Sequence, residues 1–120
     1  MRPLRVRPTI ACVLLLSGLL PAEVRATWPH DPTVNVPVCV QPEFQQRPVV
    51  CPDGVGGVVI AWQDRRNFTN FDIYAQRLGD GGTARWTAHG VPLCTESSDQ
   101  TLPEMATDGA RGAIVAWAAA

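Results

Sequence analysis

Four carboxylates are candidates for cleavage chemistry by their type alone: Asp64, Asp72, Glu96 and Glu104. Glycoside hydrolysis needs two carboxyl groups about 5–10 Å apart, one to give a proton and one to attack or to activate water. No motif selects a pair among these four. Asp64 and Asp72 also lie near Arg65, Arg66 and Arg77, so ion pairing and loop capping are their expected work. His30 and His89 fall in turn-like sequence, without the HxH or HxxxH spacing that lets two imidazoles share a zinc ion. Asp53-Gly54-Val55-Gly56-Gly57 is rich enough in glycine to suggest a phosphate cradle, but no Gly-Lys-Ser/Thr ending follows it. A hairpin turn is its expected use. Tyr74 is the single tyrosine and is expected to pack inside a strand. Trp62 and Trp117 are expected to fill equivalent slots between packed units rather than to serve as carbohydrate platforms. Asn67-Phe68-Thr69 has the form of a glycosylation sequon. The residues thus nominate no catalytic, cofactor-binding or metal-ligating set, and no cofactor.

What positions these residues is a repeat. Writing residues 35–65 above 90–120, an offset of 55, brings ten identities into 31 positions without a gap. They are Val36/Val91, Pro37/Pro92, Cys39/Cys94, Gln45/Gln100, Pro48/Pro103, Asp53/Asp108, Gly54/Gly109, Gly57/Gly112, Ala61/Ala116 and Trp62/Trp117. Identity falls on the residues whose geometry is hardest to replace, which marks a structural unit rather than chance similarity. The first copy is expected over about residues 36–90 and the second over 91–120.

Each copy reads as short strands and tight turns. Residues 48–52 form an extended run, and 53–57 a turn. Residues 58–62 (VVIAW) form a strand whose lack of alternation predicts cover on both faces. Asn67-Phe68-Thr69-Asn70 breaks the pattern, residues 72–78 (DIYAQRL) resume it, and Gly79-Asp80-Gly81-Gly82 turns again. Residues 83–87, with Trp86, are expected to form a fourth strand. No stretch of residues 27–120 shows sustained helical spacing. Four antiparallel strands in one repeat predict an all-β fold of β-propeller-like blades, about 1.7 copies of the unit being present. A β-sandwich of two related halves and an open stack of β modules are the alternatives.

The segments DGVGGVVIAWQDRR, FDIYAQRL, HGVPLC and DGARGAIVAW resemble a tandem repeat of large secreted bacterial proteins, with the pattern DGxGGxIVAWxDxR followed by DIYAQR. The resemblance covers residues 36–117 and implies a multi-repeat, propeller-type exported protein, with no shared catalytic residue to carry over. Asp80-Gly81-Gly82-Thr83 with Trp86 also resembles the Asp-box turn of sialidase-type propellers. There the tryptophan comes one residue late and the leading serine is absent, so turn chemistry suffices.

Arg2, Arg5 and Arg7, then the apolar run from Ile10 to Leu20, then Val24-Arg25-Ala26 give residues 1–26 the form of a secretory signal peptide. The run is about half of what spans a bilayer. Residues 27–120 keep six arginines against ten acids, a net charge of −4, which gives no electrostatic support for nucleic-acid binding. Cys39, Cys51 and Cys94 remain after the leader. Packed sheets stand about 10 Å apart and disulfide Cα atoms within about 7 Å, so Cys39 and Cys94, one repeat apart, are not expected to pair. Cys39–Cys51 is the local candidate. The expected function is an exported β scaffold for binding or surface display, secreted or at the cell surface. The alternative is the opening of a propeller hydrolase or lyase acting on extracellular polysaccharide.

The exported protein should begin at Thr27 by mass spectrometry, and intact leader in a membrane fraction would refute the signal. The repeat stops three residues after Trp117, so the reading frame is expected to continue beyond Ala120. Genomic sequence should then show a DIYAQR-like strand near position 127, one period after Asp72. On its own the chain is expected to fold poorly or to self-associate, since stacked repeats usually need about three or more units.

Overall fold

The computed structural model describes residues 28–120; the leader and its expected cleavage point lie outside the described residues. Those described form six strands: β1 (Gln45–Pro52), β2 (Val58–Asp64), β3 (Asp72–Leu78), β4 (Val91–Cys94), β5 (Gln100–Thr107) and β6 (Ala113–Ala119). Two antiparallel sheets result, ordered β1-β2-β3-β4 and β5-β6, and neither closes into a barrel. No helix among the described residues is long and apolar enough to cross a membrane.

The first hairpin forms because Asp53 organises its own turn. Its Oδ1 accepts the N–H groups of Val55 at 2.9 Å and Gly57 at 2.8 Å, while its N–H donates to the Gly57 carbonyl at 3.0 Å. β2 then pairs with β1 from Pro52↔Val58 to Gln45↔Asp64, with a bulge between Gln46 and Val49. β3 pairs with β2 along its whole length, from Val58↔Leu78 to Asp64↔Asp72.

The sequence period is also a period of backbone geometry. Shifted by 55 residues, β1 becomes β5 and β2 becomes β6, end to end. The bulge recurs between Thr101 and Glu104. The left-handed backbone of Arg47 (φ 51°) recurs at Leu102 (φ 55°), and that of Gly56 (φ 91°) recurs at Arg111 (φ 71°). Asp108 organises its turn as Asp53 does, accepting the N–H groups of Ala110 and Gly112. Even the bond from Arg65 N–H to the Phe44 carbonyl returns as Ala120 N–H to the Asp99 carbonyl.

The fourth strand is not residues 83–87 as expected. That segment makes a single bridge, Leu78↔Ala84, and β4 takes the place beside β3 instead. The cause is the buried amide of Gln76. Its Oε1 accepts the Trp86 N–H at 3.0 Å and its Nε2 donates to the Thr87 carbonyl at 2.9 Å, so a side chain satisfies backbone groups that a ladder would have used. β4 belongs by sequence to the second copy, yet it completes the first sheet. The sheet unit is therefore staggered against the repeat frame.

The two sheets pack face to face, with β5 against β1, β2 and β3. Alternation along β2 sends Val59, Ala61 and Gln63 toward β5, and Ile60, Trp62 and Asp64 to the outer face. The bulge frees the Leu102 N–H from the β5 ladder, and it donates to Gln63 Oε1 across the sheets at 2.9 Å. Phe71 is held twice, its N–H donating to Asp99 Oδ1 and its carbonyl accepting from Gln100 N–H. Cys51, Val59, Ala61, Trp62, Ile73, Ala75 and Leu78 are buried. The expected double cover of β2 holds for its second half, where Ala61, Trp62, Gln63 and Asp64 are all buried.

Cys39, Cys51 and Cys94 are all free thiols, so the Cys39–Cys51 candidate is not formed. Cys51 pairs with Val59 and shares its inner face, whereas Cys39 lies by Asp64 on the outer face. The sheet itself separates them.

Gly90, at φ 93°, has no room for a side chain: a Cβ there would stand 2.6 Å from the Trp62 ring and 2.9 Å from the Ala75 carbonyl. Gly90→Ala should cost about 2–5 kcal/mol, from a left-handed L-residue at about 1–2 and overpacking at about 1–3. Gly54→Ala, also left-handed but facing open space, should cost only about 1–2 kcal/mol. Urea midpoints of the two variants, each made within a folded array of the 36–90 unit, check the difference.

Candidate functional site

The outer face of the first sheet carries an open groove of about 320 Å³, lined by Val38, Cys39, Gln45, Gln46, Pro48, Ile60 and Trp62. At its end lies an ionic corner built where β2 leaves the sheet. Arg66 folds back over Asp64, donating from Nε to Oδ1 at 2.9 Å and from Nη2 to Oδ2 at 2.6 Å. Its backbone N–H also donates to Oδ1 at 2.9 Å, and the Trp62 indole N–H donates to Oδ2 at 2.8 Å. Arg66 Nη2 further reaches the His89 carbonyl at 2.9 Å and the Cys39 sulfur at 3.4 Å. The guanidinium lies 3.7 Å from the centre of the Tyr74 ring, which stacks at 6.5 Å on Trp62.

Burial works against the charge of Asp64, but hydrogen bonds from Arg66 and Trp62 outweigh it and hold the carboxyl below the usual carboxylate range. Asp72 stands directly opposite in the ladder. Burial, and then the charge of Asp64, push it upward, against hydrogen bonding from Asn70. Two carboxyl groups shifted apart are the electrostatic pattern of an acid–base pair. Geometry gives it no substrate, because neither group lines the groove. Asp64 is 0 % exposed and Asp72 2 %, and Asp64 already accepts four N–H donors. The corner fastens the loop after β2 to the two segments that carry Cys39 and His89. Asp64 thus has the ion-pair role its neighbouring arginines suggested.

The other candidates scatter. Glu104 is exposed on β5 and lines a shallow cavity with Arg47 and Leu102. Glu96 contributes its backbone carbonyl, which accepts from Asn70 Nδ2 at 2.8 Å. His89 Nδ1 accepts the Val40 N–H at 3.4 Å, and His30 is exposed. Among the described residues, no three His, Cys, Asp or Glu side chains are grouped to hold a metal ion. The sequon residue Asn67 spends its Nδ2 on Asn70 Oδ1 and Asp72 Oδ2, at 2.8 and 3.0 Å, so a glycan there would displace both bonds. Residues 53–57 form the expected hairpin turn.

Sequence reasoning missed the second ion pair, in which Arg77 donates to Asp53 Oδ2 from Nε at 3.0 Å and Nη2 at 2.9 Å. It also missed Gln63 and Gln76. An amide inside an apolar strand was the available signal, since a buried amide must find partners.

Replacing Asp64 by Asn should destabilise the protein by about 3 kcal/mol at pH 7, the scale of a broken buried pair. The folded pKa of Asp64 is depressed, so its stabilisation is present above the unfolded value near 4 and lost as pH falls through the folded value. Denaturation from pH 7 down to 2 should therefore show the gap between wild type and Asp64→Asn closing below about pH 4.

Compared with known proteins, the chain matches no family model, no curated protein and no solved structure.

Proposed function

We propose that the protein is an exported, non-enzymatic scaffold of tandem β-propeller-type blades, serving binding or surface display outside the cell. The observation that carries this reading is the recurrence of strands, bulge and turn bonds at 55 residues. A four-stranded antiparallel sheet is the unit of a propeller blade, and the first sheet has that form. The second lies face to face upon it through β5, as neighbouring blades do. The signal-like leader supports export. The net charge of −4 in residues 27–120 gives no support for nucleic acid as a partner. The saturated hydrogen bonding of Asp64 favours the scaffold over a polysaccharide hydrolase or lyase. Further repeats of the same kind, or self-association, complete the fold.

Arrays of the 36–90 unit, built with two to eight copies, test the architecture. Cooperative unfolding of a monomer should emerge within about four to eight units, where a ring closes; aggregation at every length would refute it. Incubation of the exported protein with extracellular polysaccharides should release no new reducing or unsaturated ends. Scission abolished by Asp64→Asn would replace the scaffold by an enzyme.

A further inference from the structure

The second sheet has an edge without a partner. β6 is bonded to β5 on one side, and its other side is unpaired among the described residues. The matching side of β2 is occupied by β3 over its full length. Exposure records the difference at the tryptophan: Trp62 is 3 % exposed, whereas Trp117, one period later, is 36 % exposed.

Three observations define what that edge is shaped for. Asp108 repeats the turn of Asp53, but Oδ2 of Asp53 takes Arg77, and no cation meets Asp108 among the described residues. Trp62 stacks on Tyr74, which is its ladder partner on β3; the period mate Trp117 has no neighbouring strand there. A gap of about 280 Å³ also remains between the sheets, lined by Val115 and Trp117 of β6, by Val59, Ala75 and Leu93 of the first sheet, and by Trp86 of the connection before β4. Trp117 opens onto this gap on the side that, in the first sheet, Trp62 shares with Tyr74 and Gln76.

We propose that the free edge of β6 and the gap beneath it receive one antiparallel strand of β3 chemistry, supplied by a further repeat of the same kind. Its aromatic residue stands opposite Trp117 and fills the gap. Its arginine stands opposite Ile114, as Arg77 stands opposite Val59, and reaches Asp108. A second copy of this chain does not offer such a strand, because β2 and β4 already hold both edges of its β3. The inference rests on the tandem-repeat reading above and names the partner that reading requires.

The probe is a synthetic peptide of residues 70–79, labelled for fluorescence anisotropy and titrated against the full chain, both alone and as the last unit of a folded array of the 36–90 unit. Saturable binding is expected. Tyr74→Ala or Arg77→Ala in the peptide should weaken it at least tenfold. Asp108→Asn in the chain keeps an Oδ1 to cap its turn and should weaken the unaltered peptide to a similar degree. It should add little for the Arg77→Ala peptide, since the two changes remove one contact. Absent binding, binding indifferent to these changes, or β6-to-β6 dimers that exclude the peptide would each overturn the proposal. If the peptide fails while the arrays of the 36–90 unit fold, the edge assignment alone is wrong; if the arrays fail, the tandem-repeat reading goes with it.

Discussion

The carboxylate of Asp53 sits where β1 turns into β2, and its two oxygens have different tasks. Oδ1 gathers the N–H groups of Val55 and Gly57 and so sets the length of the turn. Oδ2 takes Arg77 from β3. One buried side chain thereby fixes the register of three strands. A one-residue slip would move every side chain of a strand to the other face. The fully buried acid is tolerable because N–H donors replace its water; the Val55 N–H, above all, holds its pKa down against burial. The depressed pKa means that this register is most secure with Asp53 ionised.

Register in the first sheet matters because the second sheet reads it. Gln63 can meet the Leu102 N–H only if β2 presents its odd-numbered residues inward and the β5 bulge releases that N–H from its ladder. Phe71 and Asn70 add bonds to the chain entering β5, the latter donating to the carbonyls of Glu96 and Ser98. The stagger of β4 contributes separately. The strand that completes one sheet is drawn from the start of the next repeat, so neighbouring units are joined by a shared sheet as well as by a packed face. The two sheets are therefore not separate domains.

The buried polar groups hold these two sheets together. Gln76 replaces a stretch of ladder, Gln63 bridges two sheets, and Asp64 closes a loop over Trp62 and Tyr74. Their donors and acceptors are used within the fold, which leaves Asp64 chemically quiet despite its shifted pKa. Gln100 is the exception, since its buried Oε1 lacks a hydrogen-bond partner among the described residues; nothing in the structure accounts for it.

Much of the local structure was legible in the residues. Asp-Gly and its following glycines marked both hairpin turns, because left-handed backbone is cheapest for glycine. Identity at a 55-residue offset announced two equivalent units before any strand was placed. The limits of β3 followed from DIYAQRL alone. Other features were settled only by tertiary structure, because they depend on groups distant in sequence meeting in space. Residues 83–87 have strand-like composition, yet Gln76 takes the Trp86 N–H and the Thr87 carbonyl, and residues 91–94 form the strand beside β3 instead. Cys39 and Cys51 are near in sequence, yet a sheet stands between them. Asp64 and Asp72 read as unrelated acids until the ladder set them opposite each other, one charged by its donors and one driven toward neutrality by burial. Propensity and turn chemistry are written residue by residue, whereas facing, burial and hydrogen-bond competition belong to the assembled sheets.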